Sequence, residues 1–443
     1  MSGKARRYAL SPLQQSGHKE ETVIRSDKRP RSPAKTRRRQ RSAQPRIARV
    51  CRFRTNTKAI MIVVAILFLF TQTSHGQNKQ LSLTGYVKEL FMLYQPEQIP
   101  LGTEKNILTI NTIHNRMNLH WYPTENFTAV LEVRNRILTG SMIKNFPQYR
   151  DMIGMNRDYL DLSFFPARGN GWFIHSVADR AYVEWTQGKW QLTVGRQRIN
   201  WGVNLVWNPN DVFNSFSYFD FDYEERPGTD AVSLQYYTGL TSSAELVYKA
   251  AGDADEMALA GRYRFSKWNY DFQAIGGWVG KDFIAGAGWA GDIRGGGFRG
   301  EITHYFPRAD DSEKATVASV SGDYTFPVSL YLHAGILYNS HGKTGRAGGL
   351  DPVFSQDLSS KYLSFARYSL FGQVSYPVTP LFQTGISAIV NPSDASFYLG
   401  PTLTYSLHAD LELLLTGQFF SGDNGSEFGD IGQLYFVRLR WSF

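Results

Sequence analysis

Between Trp201 and Gly228 the sequence holds eight aromatic and five acidic side chains, with Asp220, Asp222, Glu224 and Glu225 crowded near its end. Acids at that density, set across from guanidinium groups, create a transverse field that orients polar solutes and selects them by charge. The opposing cations are Arg116, Arg134, Arg136, Arg180, Arg438 and Arg440, several of them alternating with apolar residues. The competing reading is structural: Glu132 and Glu184 pair locally with these arginines and stiffen a wall, while the aromatics pack the 199–228 segment onto a rim. Catalysis has less to work with. Nine histidines are scattered, and HExxH, GxSxG and phosphate-loop patterns are absent. His304 beside a serine of another strand would suit a lipid hydrolase, but a lone histidine is ordinarily an interface residue. The acidic turn at Asp253, Asp255 and Glu256 reads as solvated rather than as a Ca²⁺ site. No cofactor and no metal site is expected.

The elements that must position these groups are strands. From residue 80 onward about eighteen segments, from 80–94 to 432–442 and including 177–187, 229–237 and 363–375, alternate polar and apolar residues, most of them 9 to 15 residues long. His114, Arg116, Asn118 and His120 share one face, opposite Ile113, Met117, Leu119 and Trp121. Arg134 and Arg136 oppose Leu131, Val133 and Ile137 in the same way. An arginine facing lipid near the bilayer midplane costs roughly 2 to 4 kcal/mol, so the charged faces are expected to line a lumen. One strand departs from the rule: Trp190, Leu192 and Val194 continue in parity to Arg196 and Arg198, with Gly195 as a candidate bulge. Connections alternate between long and short, as in a barrel with turns at one rim and loops at the other. The alternation blurs over 251–294 and at 391–394, so beside the expected count of about 18 strands a count of 16 stays open.

Composition agrees with one extended β architecture: Gly 40, Tyr 24, Phe 29 and Trp 10 in 443 residues. The net charge of +9 comes from one end. Residues 1–58 carry 18 Lys and Arg against 3 Asp and Glu, leaving 30 basic and 36 acidic side chains in the remainder. That remainder has no basic surplus for nucleic acid. Residues 59–76 contain the apolar run AIMIVVAILFLF with Ser74 and Gly76 placed for cleavage before Gln77, the pattern of a secretory signal. Residues 1–58 read as an unstructured extension or an early start, and 77–443 as the barrel. Cys51 is the only cysteine, which excludes disulfides and thiolate metal sites downstream.

In LYFVRLRWSF, Tyr435, Val437, Leu439, Trp441 and Phe443 fall on one side, with Arg438 and Arg440 on the other. This ending resembles the closing strand of Gram-negative outer-membrane barrels, in which Tyr435, Trp441 and Phe443 would serve as the signal read by the barrel-assembly machinery. Gly-Arg-Gln at 195–197, Trp-Gly at 201–202, Asn-Pro-x-Asp at 208–211 and Arg-Pro-Gly at 226–228 resemble outer-membrane barrels distantly similar to alginate-export porins. That likeness covers about forty residues and carries no claim about alginate. The expectation is an all-β, antiparallel up-and-down transmembrane barrel in the cell outer membrane, a porin or substrate-selective channel passing small polar solutes. The 199–228 loop narrows its pore, and association into a homotrimer stays open. The alternatives are an outer-membrane enzyme acting on lipid, or a structural or assembly barrel with a closed lumen.

Overall fold

The structure is a computed structural model that describes residues 80–98, 107–156, 158–220, 222, 226–348 and 359–443. The expectations for the leader, Cys51, Glu224 and Glu225 lie outside the described residues.

Eighteen strands follow one another as neighbours around a closed antiparallel sheet. They are β1 Leu81–Gln95, β2 Leu108–Thr124, β3 Phe127–Thr139, β4 Trp172–Gln187, β5 Trp190–Gln197, β6 Thr229–Tyr237, β7 Ser243–Lys249, β8 Ala258–Lys267 and β9 Tyr270–Val279. The second half runs β10 Asp282–Ile293, β11 Gly296–Pro307, β12 Ala315–Thr325, β13 Tyr331–Asn339, β14 Tyr368–Thr379, β15 Phe382–Asn391, β16 Ser396–His408, β17 Leu411–Ser421 and β18 Gln433–Ser442. The barrel shuts where β18 pairs with β1, from Tyr86 opposite Ser442 to Gln95 opposite Gln433. Gly85 and Phe443 exchange backbone hydrogen bonds of 2.9 Å at that seam.

The count is 18, not 16, and the blurred region of the sequence has a physical cause. The connections at 280–281 and 392–395 are tight although they lie on the rim that otherwise carries long loops; Gly280 reaches φ +54° to make the first. At the opposite rim Trp268 and Asn269 both take positive φ, as a two-residue hairpin turn requires.

The two faces are sorted as the alternation predicts. Phe91, Ile113, Leu131 and Ile137 point outward and are 39–45% exposed, whereas Lys88, Arg116, Arg134 and Arg438 are buried inside. Large apolar groups left this open around a whole wall suit acyl chains rather than water. Among the described residues no helix is long and apolar enough to cross a membrane.

Two departures from regular alternation position side chains. In β4 the ladder to β3 jumps between Glu132 opposite Arg180 and Val133 opposite Ala178, leaving Asp179 as the extra residue of a bulge. In β5, Gly195 has φ +122° but the ladders on both sides keep register through it, so no residue is inserted. Arg196 is nonetheless buried, held by Asp230 at 2.9 Å and Asp158 at 3.4 Å under the chain at Leu160, whose carbonyl accepts at 2.5 Å. Between β3 and β4 the chain forms two short helices, α1 Ser141–Asn145 and α2 Gln148–Ile153. Two-residue strands at Ser163–Phe164 and Arg168–Gly169 then extend the sheet beside the outer half of β4.

Candidate functional site

The register stacks cations on one side of the lumen. Arg440 lies opposite Lys88, Lys88 opposite His114, His114 opposite Arg136 and Arg136 opposite His175, a single row across five neighbouring strands. In the next row Arg116 lies opposite Arg134. Arg116, Arg134, Arg136, Arg438 and Arg440 are thereby brought together on adjacent strands, with Arg180 one strand further.

Acids are interleaved with them. Arg116 donates to Asp179 and to Glu132, each at 2.5 Å, and Arg134 reaches the other oxygen of Asp179 at 3.3 Å. Asp179 can take two arginines because its bulge turns it inward beside Arg180. Arg438 pairs with Glu412 at 2.7 Å. Arg136 donates to His175 Nδ1 at 2.8 Å; since a guanidinium only donates, that nitrogen accepts and the neutral ring carries its proton on Nε2. Arg180 turns to backbone, donating to the carbonyls of Asp179 and Arg226. Glu184 accepts from Gln191 and Thr193 rather than from an arginine.

The 198–228 segment enters the lumen and is tied to the far wall at several strands. Glu301 of β11 accepts three of its backbone N–H groups, from Val203 at 2.5 Å, Asn204 at 2.7 Å and Asn210 at 2.8 Å. Trp201 donates to Glu245 of β7 at 2.9 Å, and Asn204 to Ser319 of β12 at 2.6 Å. Its aromatics complete the attachment: Tyr218 packs on Phe371 and Tyr398, and Phe219 on Tyr398, Phe420 and Phe428. The segment then crosses to the cationic wall, where Asp222 meets Lys88 at 2.8 Å and Arg438 at 3.6 Å. Asp220, beside it, has its carboxyl raised by burial and by the Asp222 charge, against the pull of Arg134, Arg136 and Lys88.

What remains is a cavity of about 1100 Å³ whose walls include His114, Arg134, Arg136 and His175 together with Asp220 and Asp222. Opposed charges around a water-filled space orient dipolar solutes and sort ions without covalent chemistry. His304 bonds Thr316 at 2.7 Å and packs on Phe306. Asp253 caps its own turn and Asp255 pairs with Lys281. Among the described residues no group of three His, Cys, Asp or Glu is placed to hold a metal ion. Tyr435, Trp441 and Phe443 all stand on the outer face.

Sequence reasoning passed over Lys88, Asp179 and Glu301. Asp179 was signalled by two adjacent charges in an alternating strand, which is how a bulge announces itself. Glu301 was signalled only by its inward parity with Arg299 and Thr303.

Asp211, at the centre of the inserted segment, is pushed up to about 7 by burial, with Arg198, Arg226 and Arg262 opposing the shift. A carboxyl whose folded value is raised contributes stability that is complete below its unfolded value and is lost as pH rises through about 7. Current fluctuations through a conducting barrel are therefore expected to grow as pH rises from about 4 to about 7 and to level off above it, and Asp211→Asn to abolish that dependence. Noise spectra of single channels across this range are the check.

No protein-family model matches the sequence, and no curated protein matches it either. Solved structures do. The chain is similar to Acinetobacter baumannii OccAB4 with a TM-score of 0.54 at 8% identity, over 83% of this chain and 99% of that one. The outer membrane protein OprD from Pseudomonas aeruginosa gives 0.53 at 12% identity, over 83% and 95%. Pseudomonas aeruginosa OccK11 (OpdR) gives 0.51 at 11% identity, over 82% and 96%. At these identities the likeness is one of fold, and it bears out the expected architecture: the protein is a closed, 18-strand antiparallel β-barrel.

Proposed function

We propose that this chain is an outer-membrane channel through which small polar solutes diffuse, with anions favoured at its narrowest part. The observation that carries the reading is the path of the 198–228 segment, pinned by Glu301 on one side and by Lys88 on the other so that a charged cavity is left between. Arg134, Arg136, Arg438, Arg440 and Lys88 stand on one wall, interleaved with Asp179, Asp222 and Glu412. Passage needs shape and field alone, so the reading includes no catalytic step. The outward Tyr435, Trp441 and Phe443 support recognition by the barrel-assembly machinery during insertion.

Purified protein in planar bilayers is expected to give discrete conductance steps and an anion-selective reversal potential in a salt gradient. Changing one wall charge by two units at about 5 Å through water alters the ion barrier by roughly 1 to 2 kcal/mol. Arg136→Glu is therefore expected to move the anion-to-cation ratio about tenfold towards cations. Silent insertion would favour a structural barrel with a closed lumen, and release of fatty acid from lipid would favour the enzyme.

A further inference from the structure

The outward face of β1, β2 and β3 carries side chains that do not belong against hydrocarbon. Glu89 stands between Val87 and Phe91 on the outward parity of β1, with Ile113 and Leu439 directly across from it. Asn111 and Asn115 share the outward face of β2, and Asn115 lies opposite Asn135 of β3. The neighbours of these polar groups on that face, Phe91, Ile113, Leu131 and Ile137, are open apolar residues. Asn111 donates to Glu89 at 3.0 Å, Asn115 reaches the Tyr86 carbonyl at 3.5 Å, and Asn135 accepts from Ser176 at 2.7 Å. A carboxylate and three amides hold more donors and acceptors than these bonds use, and acyl chains offer none. Polar side chains on a lipid-facing wall are costly unless something covers them.

We infer that a second copy of this chain docks on the β1–β3 face. The patch is self-complementary, with an anion and amide donors within three strands, so a rotated copy brings amides to Glu89 and a carboxylate to the asparagines. Anionic lipid headgroups would meet Glu89 with like charge. The surface also continues beyond the strands. Ser176, opposite Asn135, lies opposite Phe164, and the segment from there back to Met155 leaves Met155, Tyr159 and Phe164 57–62% exposed. β1–β3 with the adjoining β4, four strands at about 4.8 Å spacing and an apolar band about 25 Å tall, present roughly 500 Å². With the adjoining loop the face approaches the 800 Å² or so that each partner of a stable interface buries.

This inference rests on the outward face being the lipid face, and the test separates the two. In full-length protein with Cys51→Ser, Asn115→Cys or Asn135→Cys is expected to cross-link copies in native membranes. Gly372→Cys on β14, where an added Cβ meets nothing within 4 Å, is expected to give none. Glu89→Leu with Asn135→Leu should weaken association about tenfold in detergent while leaving the conductance of each barrel unchanged. Conducting barrels of single-copy mass with no cross-link would overturn the docking and leave the channel reading standing. Cysteines that join a different polypeptide, or that bound lipopolysaccharide shields, would likewise overturn it. A protein that stays in solution without detergent would remove the membrane reading itself.

Discussion

Glu301→Ala is expected to raise single-channel conductance at least about twofold and to broaden its distribution, because one carboxylate holds the turn of the inserted segment through three N–H groups. Alanine leaves those donors buried without an acceptor. Each costs about 1 to 3 kcal/mol, so the inserted arrangement loses roughly 3 to 9 kcal/mol relative to a segment that swings toward water. The other fastenings differ in kind. Trp201 on Glu245 and the Phe219 cluster hold the two ends of the segment, so the chain stays in the lumen while the turn between them loosens. Glu301→Gln keeps an acceptor oxygen and is expected to fall between wild type and alanine. Conductance histograms of the three proteins are the measurement, and equal values would mean that the segment does not limit flow.

Asp179→Ala should cause the largest loss of stability among wall substitutions. Its carboxylate is nearly inaccessible and serves two guanidinium groups, one of them, Arg116, equally buried. Removing one member of a buried pair costs about 3 to 5 kcal/mol, since the partner keeps its charge without its counter-ion. Arg116 retains Glu132, so the lower part of that range applies to it, and Arg134 adds to the total. The expected result is a barrel that unfolds at lower temperature or lower denaturant concentration in the same detergent. Its anion preference should increase, because a wall carboxylate has gone. Asp179→Asn tests the charge separately from the space: it preserves the bulge and one acceptor, so its destabilisation should be smaller and its change in selectivity the same.

These two residues also mark how far local reading reaches. β6 was legible to the residue as 229–237, and most other strand limits agreed within about two residues, because a half-wetted strand must alternate. The two poorest limits have local causes. β4 begins at Trp172 rather than near 177, since its first turn's worth of residues is covered by Phe164 and its neighbours and loses the plain alternation. β14 begins at Tyr368 rather than near 363, where Ser364 and Phe365 are instead drawn to Glu427 in the loop between β17 and β18.

From sequence alone came the barrel class, the wet face of most strands, the approximate strand number and the loop most worth attention. All four follow from a rule with a period of two residues, so each short stretch carries its own part of the answer. The path of that loop was decided elsewhere. Val203 finds Glu301 at 98 residues' distance along the chain, and Lys88 finds Asp222 at 134. Whether an acid near one end of a loop meets a solvated rim or a lysine across the lumen depends on barrel closure, register and one extra residue at Asp179. Those are properties of strands assembled side by side, and no window of neighbouring residues contains them.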